Sequence, residues 1–231
     1  MQTNNTENSK FLPVAVVVAG LLIAGAVVWN GSRTPTDPSL AGAAPAVDIQ
    51  NVDTAGDPFI GKADAPLTIA AWGDFRCSFC KQFELTTLPQ IITEYVDTGK
   101  VKIVFMDFAF LGDNSTTAAL YGRSVWNLYP SAYHAWRTAV YKAQDEAGDP
   151  SFGDVASMDR LSATIAGIDA ARVAADVKAN ESAYKAAIDA DRTEGQKVGI
   201  SATPSFVIGT QVIQGAYPYP NFKAAIDAAL K

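Results

Sequence analysis

The feature that most constrains the fold is an apolar run that ends just before a pair of cysteines and gives way to an amphipathic stretch. Residues 67–72 are almost continuously apolar, which is typical of a strand buried on both faces of a sheet. After the cysteines, apolar residues recur at helical spacing to about Asp97, and a second strand is predicted over residues 101–106. This order of strand, helix and strand predicts a right-handed parallel crossover unit.

Cys77 and Cys80 are the only cysteines of the chain, and they fall where the first strand hands over to the helix. Two thiols at this spacing can close a short disulfide ring and reopen it. The start of a helix has unpaired N–H groups and the positive end of the helix dipole, and both stabilise a thiolate. We therefore predict that Cys77, just outside the first turn, is an exposed nucleophile. Cys80, one turn in, is predicted to be its covered resolving partner.

The N-terminal quarter of the chain predicts a membrane attachment followed by a spacer. Residues 1–11 form a short polar tail, and residues 12–29 contain no charge and are long enough for a transmembrane anchor. A cleaved signal peptide is the alternative, with a small-residue cleavage site at residues 24–26. Residues 30–48 are rich in Gly, Pro, Ser, Thr and Ala, as in a flexible linker, and one domain is predicted over residues 49–231.

Within that domain, the remaining elements follow from local patterns. Residues 113–199 show apolar spacings of three and four, which predict a helical insertion. Residues 205–208 and 211–214 flank Gly209-Thr210 and predict a hairpin with a type II′ turn, and residues 221–230 predict a last helix. Alternating apolar residues at the start of the domain predict a short edge strand through Val47, Ile49 and Val52.

The helical insertion contains candidate helix starts and a group of aromatic residues. The candidate N-caps are Ser157, Asp169 and Asn180. The aromatic residues could line a groove, but their helical spacing favours a place in the core; they are Trp126, Tyr129, Tyr133, Trp136 and Tyr141.

Composition argues against two classes of function. A net charge of −6 and a pI of about 4.7 leave no basic surface for nucleic acid. One histidine and two cysteines cannot supply the usual four Cys or His ligands of zinc, and the cysteine spacing does not fit a copper site. We expect no metal, no other cofactor and no nucleic acid partner, and we interpret His134 as a packed or half-exposed helix residue.

The order of strand, Cys-x-x-Cys helix, strand, helical block, Thr-Pro, hairpin and helix resembles the thioredoxin fold of DsbA-like thiol-disulfide oxidoreductases. The similarity covers roughly residues 56–231 and is greatest to the membrane-anchored, BdbD-type branch. Its clearest stretches are Asp57-Pro58-Phe59-Ile60-Gly61, Ala65-Pro66-Leu67-Thr68-Ile69, Asp74-Phe75-Arg76-Cys77, Leu88-Pro89-Gln90, Gly99-Lys100-Val101, Asp107-Phe108 and Gly199-Ile200-Ser201-Ala202-Thr203-Pro204-Ser205-Phe206.

The resemblance implies an α/β fold with a mixed central sheet flanked by helices, and an inserted helical subdomain. It also implies a cis bond before Pro204, next to the disulfide. In such a site the backbone of Thr203 pairs with an extended substrate segment. Thr203 and Pro204, together with Ser78 and Phe79 between the cysteines, are therefore the expected substrate-binding residues.

Four positions depart from the family pattern or have no match in it. Ser78 stands where many DsbA-like proteins have proline, so the redox potential of the family does not transfer directly. Related enzymes place a buried acid six residues before the nucleophile, and here that residue is Ala71. Asp74 and Glu84 are nearby carboxylates, for which we expect solvated or capping roles.

Taken together, the sequence predicts a membrane-tethered thiol oxidase with its catalytic domain outside the cytoplasm. Its expected substrates are exported proteins with cysteines, and its expected redox partner is a membrane protein such as a quinone-linked thiol oxidase. Two alternatives stay open from the sequence. One is a reductase or isomerase kept reduced by a membrane donor, and the other is a non-catalytic binding domain in which the disulfide is structural.

Overall fold

The structure is a computed structural model that describes residues 47–144 and 149–231. The predicted tail, the predicted anchor and nearly all of the predicted linker lie outside the described residues. Within the described residues, no helix is long and apolar enough to cross a membrane. A five-stranded sheet forms the centre, with strands β1 (Phe59–Ile60), β2 (Leu67–Gly73), β3 (Val101–Asp107), β4 (Ser205–Ile208) and β5 (Gln211–Gln214).

The strands lie in the order β1, β3, β2, β4, β5, and the sheet is mixed. β2 and β3 run parallel with Leu67 opposite Val101, which confirms the predicted crossover unit. The other neighbouring pairs are antiparallel, and β4 and β5 form the predicted hairpin. Gly209 begins its turn at a φ of 58°, a conformation that favours glycine.

The start of the domain differs from the prediction. Residues Ile49–Asn51 form a short 3-10 helix, whose N-cap Asp48 accepts a hydrogen bond from the N–H of Gln50 at 2.9 Å. The edge of the sheet is instead occupied by β1, which pairs with β3. The predicted edge strand is therefore wrong, because an aspartate side chain that bonds to the backbone two residues on competes with strand pairing.

The helix after the cysteines, residues 78–96, is here called the cysteine helix. It consists of α1 (Ser78–Gln82), a π-helical segment (Phe83–Thr87), α2 (Leu88–Ile91) and a second π-helical segment (Ile92–Val96). Pro89 explains the first departure from α-helix, because its ring has no N–H and crowds the carbonyl of the preceding turn. Gly99, at a φ of 75°, reverses the chain into β3.

The segment between β3 and β4 is helical, and its described residues form the α-helices α3 (Asp113–Leu128), α4 (Tyr133–Ala143), α5 (Val155–Ser162) and α6 (Ala170–Lys197). A last helix, α7 (Tyr219–Ala229), follows the hairpin. Asp169 caps α6 as predicted. Asp154, rather than Ser157, caps α5. Asn180 lies inside α6, where its amide bonds to the Asp176 carboxylate at 2.8 Å, so that predicted cap is wrong.

Successive residues of β2 and β3 point to opposite faces of the sheet and fill two cores. One face packs against the cysteine helix, α7 and the helical insertion, and it contains Ile69, Ala71, Ile103, Phe105, Phe206 and Ile208. The opposite face contains Ala70, Trp72, Val104, Met106, Ile200 and Val207. The predicted aromatic core is confirmed, because Tyr133, Trp136 and Tyr141 are fully buried while Trp126 and Tyr129 pack against them in part.

A buried ion cluster joins the helical insertion to the sheet. Arg123 of α3 contacts Asp57 at 2.6 Å, Asp107 at the end of β3 at 2.7 Å, and Asp191 of α6. Asp191 also receives the N–H of Asp107, and its carbonyl accepts the indole N–H of Trp72 at 2.9 Å. One guanidinium therefore faces three carboxylates from three different parts of the chain.

From the Arg123 cluster we predict that the free energy of unfolding depends on pH. Burial, followed by the charge of Asp107, raises the pKa of Asp191 to about 8, against an ordinary value of 3.8. Between those values the folded chain holds a proton that the unfolded chain releases, so stability falls as pH rises and this contribution is lost above about pH 8. We expect Asp191→Asn to remove a slope of up to about 1.4 kcal/mol per pH unit. Urea denaturation across this range measures it, and a variant with the wild-type slope would contradict the assignment.

Candidate active site

Cys77 lies at the junction of β2 and the cysteine helix. It is the N-cap of α1, and its own N–H donates to the carbonyl of Asp74 at 3.1 Å. Its carbonyl accepts the N–H of Lys81 and so begins the helical hydrogen bonds. The sulfur of Cys77 consequently lies at the positive end of a helix, in the position that the sequence predicts.

The two cysteines differ less in exposure than the sequence suggests. Cys80 is 2% exposed, as expected for a covered partner, but Cys77 is only 7% exposed and is not an open surface thiol. The reason is the loop before β4, where the Thr203 carbonyl accepts a hydrogen bond from the Cys77 thiol at 3.4 Å. Both thiols are free, which corresponds to the reduced state of the pair.

Their environments push the pKa values of the two thiols apart. The pKa of Cys77 is lowered to about 6, chiefly because the Cys80 thiol donates a hydrogen bond to its sulfur. The Thr203 side chain and the N–H groups of Cys80 and Phe79 add to this effect, while burial opposes it. Burial raises the pKa of Cys80 well above its ordinary value. Near neutral pH, Cys77 is therefore the thiolate and Cys80 the thiol.

The second wall of the site is the Thr203-Pro204 loop. The bond between these residues is cis, as the resemblance implies, and the carbonyl of Pro204 accepts the N–H of Gly215 at 2.7 Å. The hydroxyl of Thr203 is buried and has no hydrogen-bond partner among the described residues. It is therefore available to donate to the Cys77 sulfur once that sulfur is ionised.

The expected contact residues between the cysteines are on the surface. Ser78 is exposed, and Phe79 is 62% exposed although it is a large apolar residue. Three further exposed apolar side chains, which sequence reasoning missed, belong to loops bonded to the site: Phe110, Leu111 and Tyr217. Together with Phe79 they are here called the apolar rim.

Asp74 explains how part of the apolar rim is attached to the site. Its carboxylate is buried and accepts the N–H groups of Arg76, Phe110 and Leu111 at 2.8–3.2 Å and the hydroxyl of Ser115 at 2.8 Å. A solvated role is therefore wrong for Asp74, because four donors replace its water. The carboxylate ties the strand end before Cys77 to the loop that carries two rim residues.

Glu84 is also buried and bonded to other side chains, contrary to the solvated or capping role expected for it. Its two oxygens accept Arg137 Nε at 2.9 Å and Thr138 Oγ1 at 3.0 Å. The Arg137 guanidinium lies 4.0 Å from the ring centre of Phe105 and 5.0 Å from that of Tyr141. The sequence does contain a signal for this ion pair, because Glu84 and Arg137 are charged residues that each fall among the apolar positions of a predicted helix. His134, half-exposed as expected, lies 3.9 Å from Glu84.

This arrangement contains an activated thiolate, a protonated second thiol and a strand-like wall, which are the parts needed for thiol-disulfide exchange. Ala71 is buried and has no ionisable group, so the acid found at that position in related enzymes has no counterpart there. Among residues 47–144 and 149–231, no group of three or more His, Cys, Asp or Glu side chains is placed to hold a metal ion.

The pKa of Cys77 gives a direct prediction for the reduced protein. We expect its thiolate to appear with a midpoint near pH 6, against about 8.5 for a free cysteine. The initial rate of iodoacetamide labelling as a function of pH measures this midpoint. Thr203→Val removes the buried hydroxyl and should raise the midpoint. A wild-type midpoint at the value of a free cysteine would contradict the assigned environment.

Comparison with known proteins agrees with the site. A family model described as "Thioredoxin" matches residues 53–228. Disulfide bond formation protein D of Bacillus subtilis is 27% identical over 176 residues, which cover 76% of this chain and 78% of that protein. Probable disulfide bond formation protein D of Bacillus anthracis is 28% identical over 173 residues, 74% of this chain and 77% of that protein.

Two solved structures are also similar to this chain. The crystal structure of oxidised BdbD from Bacillus subtilis has a TM-score of 0.71 and 26% identity, and the match covers 78% of this chain and 95% of that chain. The thiol-disulfide exchange protein alpha-DsbA2 from Wolbachia pipientis shares the fold, with a TM-score of 0.63, 23% identity, and coverage of 75% and 87%. The chain therefore belongs to the thioredoxin family, within which it is a DsbA-like thiol-disulfide oxidoreductase of the BdbD type.

Proposed function

We propose that the chain is a disulfide-forming oxidase for proteins outside the cytoplasm, with Cys77 as nucleophile and Cys80 as its partner. The observation that carries this proposal is the low pKa of Cys77 next to a buried, protonated Cys80. A stabilised thiolate makes the reduced enzyme more stable and the disulfide more oxidising. For this two-electron couple, about 30 mV corresponds to about 1.4 kcal/mol.

The reaction begins with the oxidised Cys77-Cys80 pair. A substrate thiolate attacks the Cys77 sulfur and forms a mixed disulfide, and Cys80 leaves as a thiolate. The second cysteine of the substrate then attacks the substrate sulfur of that mixed disulfide. The substrate leaves as a disulfide and both enzyme thiols are reduced, so two electrons have passed from substrate to enzyme.

Substrate binding is assigned to the surfaces on either side of Cys77. The main chain of Thr203 lies next to the Cys77 sulfur, so an extended substrate segment paired with this loop would bring its own sulfur into line. Pro204 fixes the direction of the loop, and the exposed Ser78 and Phe79 flank the sulfur on the helix side. The apolar rim adds contacts suited to unfolded chains, which expose apolar side chains.

The membrane tether and the redox partner are part of the same proposal. The tether is residues 12–29, supported by the uncharged run in the sequence, and it would hold the catalytic domain at the outer side of the cell membrane. A membrane protein such as a quinone-linked thiol oxidase would accept the two electrons from Cys77 and Cys80. Such a partner would restore the disulfide for the next cycle.

Oxidation and reduction assays run in parallel test the direction of electron flow. The oxidised protein should convert a reduced, unfolded protein substrate to its disulfide form, at one disulfide per enzyme without a partner. The reduced protein should be a poor catalyst of insulin reduction by dithiothreitol. Rapid insulin reduction without substrate oxidation would favour the reductase instead, and absence of both reactions would favour the binding domain with a structural disulfide.

A further inference from the structure

Each opening of the Cys77-Cys80 disulfide places a negative charge on a buried atom. Attack on the Cys77 sulfur breaks the S–S bond, and the electron pair of that bond goes to the Cys80 sulfur, which then takes a proton from solvent. Cys80 is almost completely buried, and an uncompensated buried charge is costly. Related enzymes have a buried acid at the position of Ala71, and this chain does not.

Gly73 marks the place where two other groups approach Cys80. A Cβ atom on Gly73 would lie 3.8 Å from the Cys80 sulfur, 3.8 Å from Arg137 Nη2 and 3.4 Å from the Tyr141 hydroxyl. The sulfur, the guanidinium edge and the hydroxyl thus all lie within 4 Å of one point. Arg137 and Tyr141 both come from α4 of the helical insertion, far from the cysteines in sequence.

The contacts of the Arg137 guanidinium fix its orientation, with the Nη2 edge directed at the Cβ position of Gly73. Glu84 binds the Nε edge at 2.9 Å, and the guanidinium plane is packed between the rings of Phe105, Tyr141 and Phe75. Glu84 is held against α4, because one of its oxygens accepts a hydrogen bond from Arg137 and the other from Thr138. The Nη2 edge is the one nearest Gly73.

The Tyr141 hydroxyl can change its partner. In the reduced structure it donates to the carbonyl of Asp74 at 3.4 Å, which is a long hydrogen bond. A thiolate on Cys80 would be a stronger acceptor than this carbonyl, and both the hydroxyl and the sulfur lie within 4 Å of the Cβ position of Gly73. The other titratable groups that act on Cys80 or Tyr141 are Cys77, Asp74 and Glu84. Tyr133 faces Arg137, and His134 lies 3.9 Å from Glu84.

We propose that Arg137 and Tyr141 are positioning residues that stabilise the Cys80 thiolate as the disulfide opens, in place of the missing acid at residue 71. Arg137 supplies a fixed positive charge and Tyr141 a hydrogen-bond donor. The same groups act in reverse when Cys80 loses its proton to close the disulfide again. This inference rests on the proposed catalytic roles of Cys77 and Cys80.

Gly73→Ala and Tyr141→Phe test the proposal with small changes. The methyl group of Gly73→Ala meets its three neighbours at ordinary contact distances, so it fits without displacing them. It fills the space between them, so Tyr141 and Arg137 can no longer turn through that space towards the Cys80 sulfur. Tyr141→Phe removes only the hydroxyl. The matched control is Tyr121→Phe, which removes another buried tyrosine hydroxyl, bonded to Asp159 at 2.6 Å in the helical insertion.

The readout is the rate constant for reaction of each oxidised protein with reduced glutathione, because a leaving thiol with a higher pKa leaves more slowly. We expect roughly a tenfold decrease for Gly73→Ala and for Tyr141→Phe, and less than about a twofold change for Tyr121→Phe. In a Cys77→Ser background, the alkylation midpoint of Cys80 should rise by about one pH unit in the two test variants.

The possible outcomes separate this inference from the proposed function. If the wild-type protein reacts with glutathione and the two variants match its rate and its Cys80 midpoint, the inference is wrong and the proposed function stands. If the two variants lose thermal stability without a change in rate or midpoint, Arg137 and Tyr141 are structural only. If the wild-type disulfide itself does not react, the proposed function fails first.

Discussion

Cys77→Ser is expected to abolish catalysed disulfide exchange, with a loss on the order of 10³-fold or more in the rate of substrate oxidation. The reason is that a serine hydroxyl is not ionised near neutral pH, whereas the Cys77 thiol has a pKa of about 6. Serine is close to cysteine in size, so the fold should be retained. The measurement is the oxidation rate of a reduced protein substrate, with circular dichroism as the check on folding.

Cys80→Ser is the control that separates the roles of the two thiols. This variant keeps the nucleophile but cannot resolve a mixed disulfide within the site. With oxidised glutathione it should form a glutathione adduct at Cys77 that persists. If the adduct instead formed on Cys80 in Cys77→Ser at a comparable rate, the assignment of Cys77 as the nucleophile would be wrong.

Arg123→Met should cause the largest loss of stability, about 3–5 kcal/mol. The substitution removes the guanidinium that three buried acidic side chains share, so each of these side chains that is ionised loses its counter-ion. Urea denaturation measures the loss in free energy of unfolding. Lys185→Met is the control, because its ion pair with Glu181 is on the surface and should contribute little.

A companion variant keeps this test decisive if Arg123→Met alone does not fold. Combining Arg123→Met with Asp107→Asn and Asp191→Asn replaces two of the acidic side chains by neutral amides and should recover a substantial part of the lost stability. An Arg123→Met protein as stable as Lys185→Met would show that the buried cluster does not hold the helical insertion on the sheet.

The elements that could be predicted from sequence are those whose signal is local. Three elements are specified by residues that are close together in the sequence. They are β2, with its continuous apolar run, the cysteine helix, with its helical apolar spacing, and the Gly209-Thr210 turn. Cys77 and Cys80 were found for the same reason, because their spacing and their place before a helix are local features. The Thr203-Pro204 wall required the family resemblance, since nothing in the local sequence specifies its distance from Cys77.

The parts that sequence reasoning missed depend on partners far along the chain. The local sequence suggests that Asp74 is a surface carboxylate. In the structure it is buried, because the distant Phe110 and Leu111 donate their backbone N–H groups to it. Glu84 is buried only because Arg137, more than fifty residues later, neutralises it. The edge of the sheet was assigned to the wrong segment for a related reason, because β1 consists of two residues and is defined by its pairing with β3.

The reduction potential of the Cys77-Cys80 couple tests the oxidase assignment most directly. The purified protein is equilibrated in buffers of reduced and oxidised glutathione, and the fraction of dithiol is measured after acid trapping and alkylation. We predict a potential well above that of thioredoxin, in the range between about −200 mV and about −120 mV. A value near −270 mV, the potential of thioredoxin, would contradict the oxidase and favour a reductase.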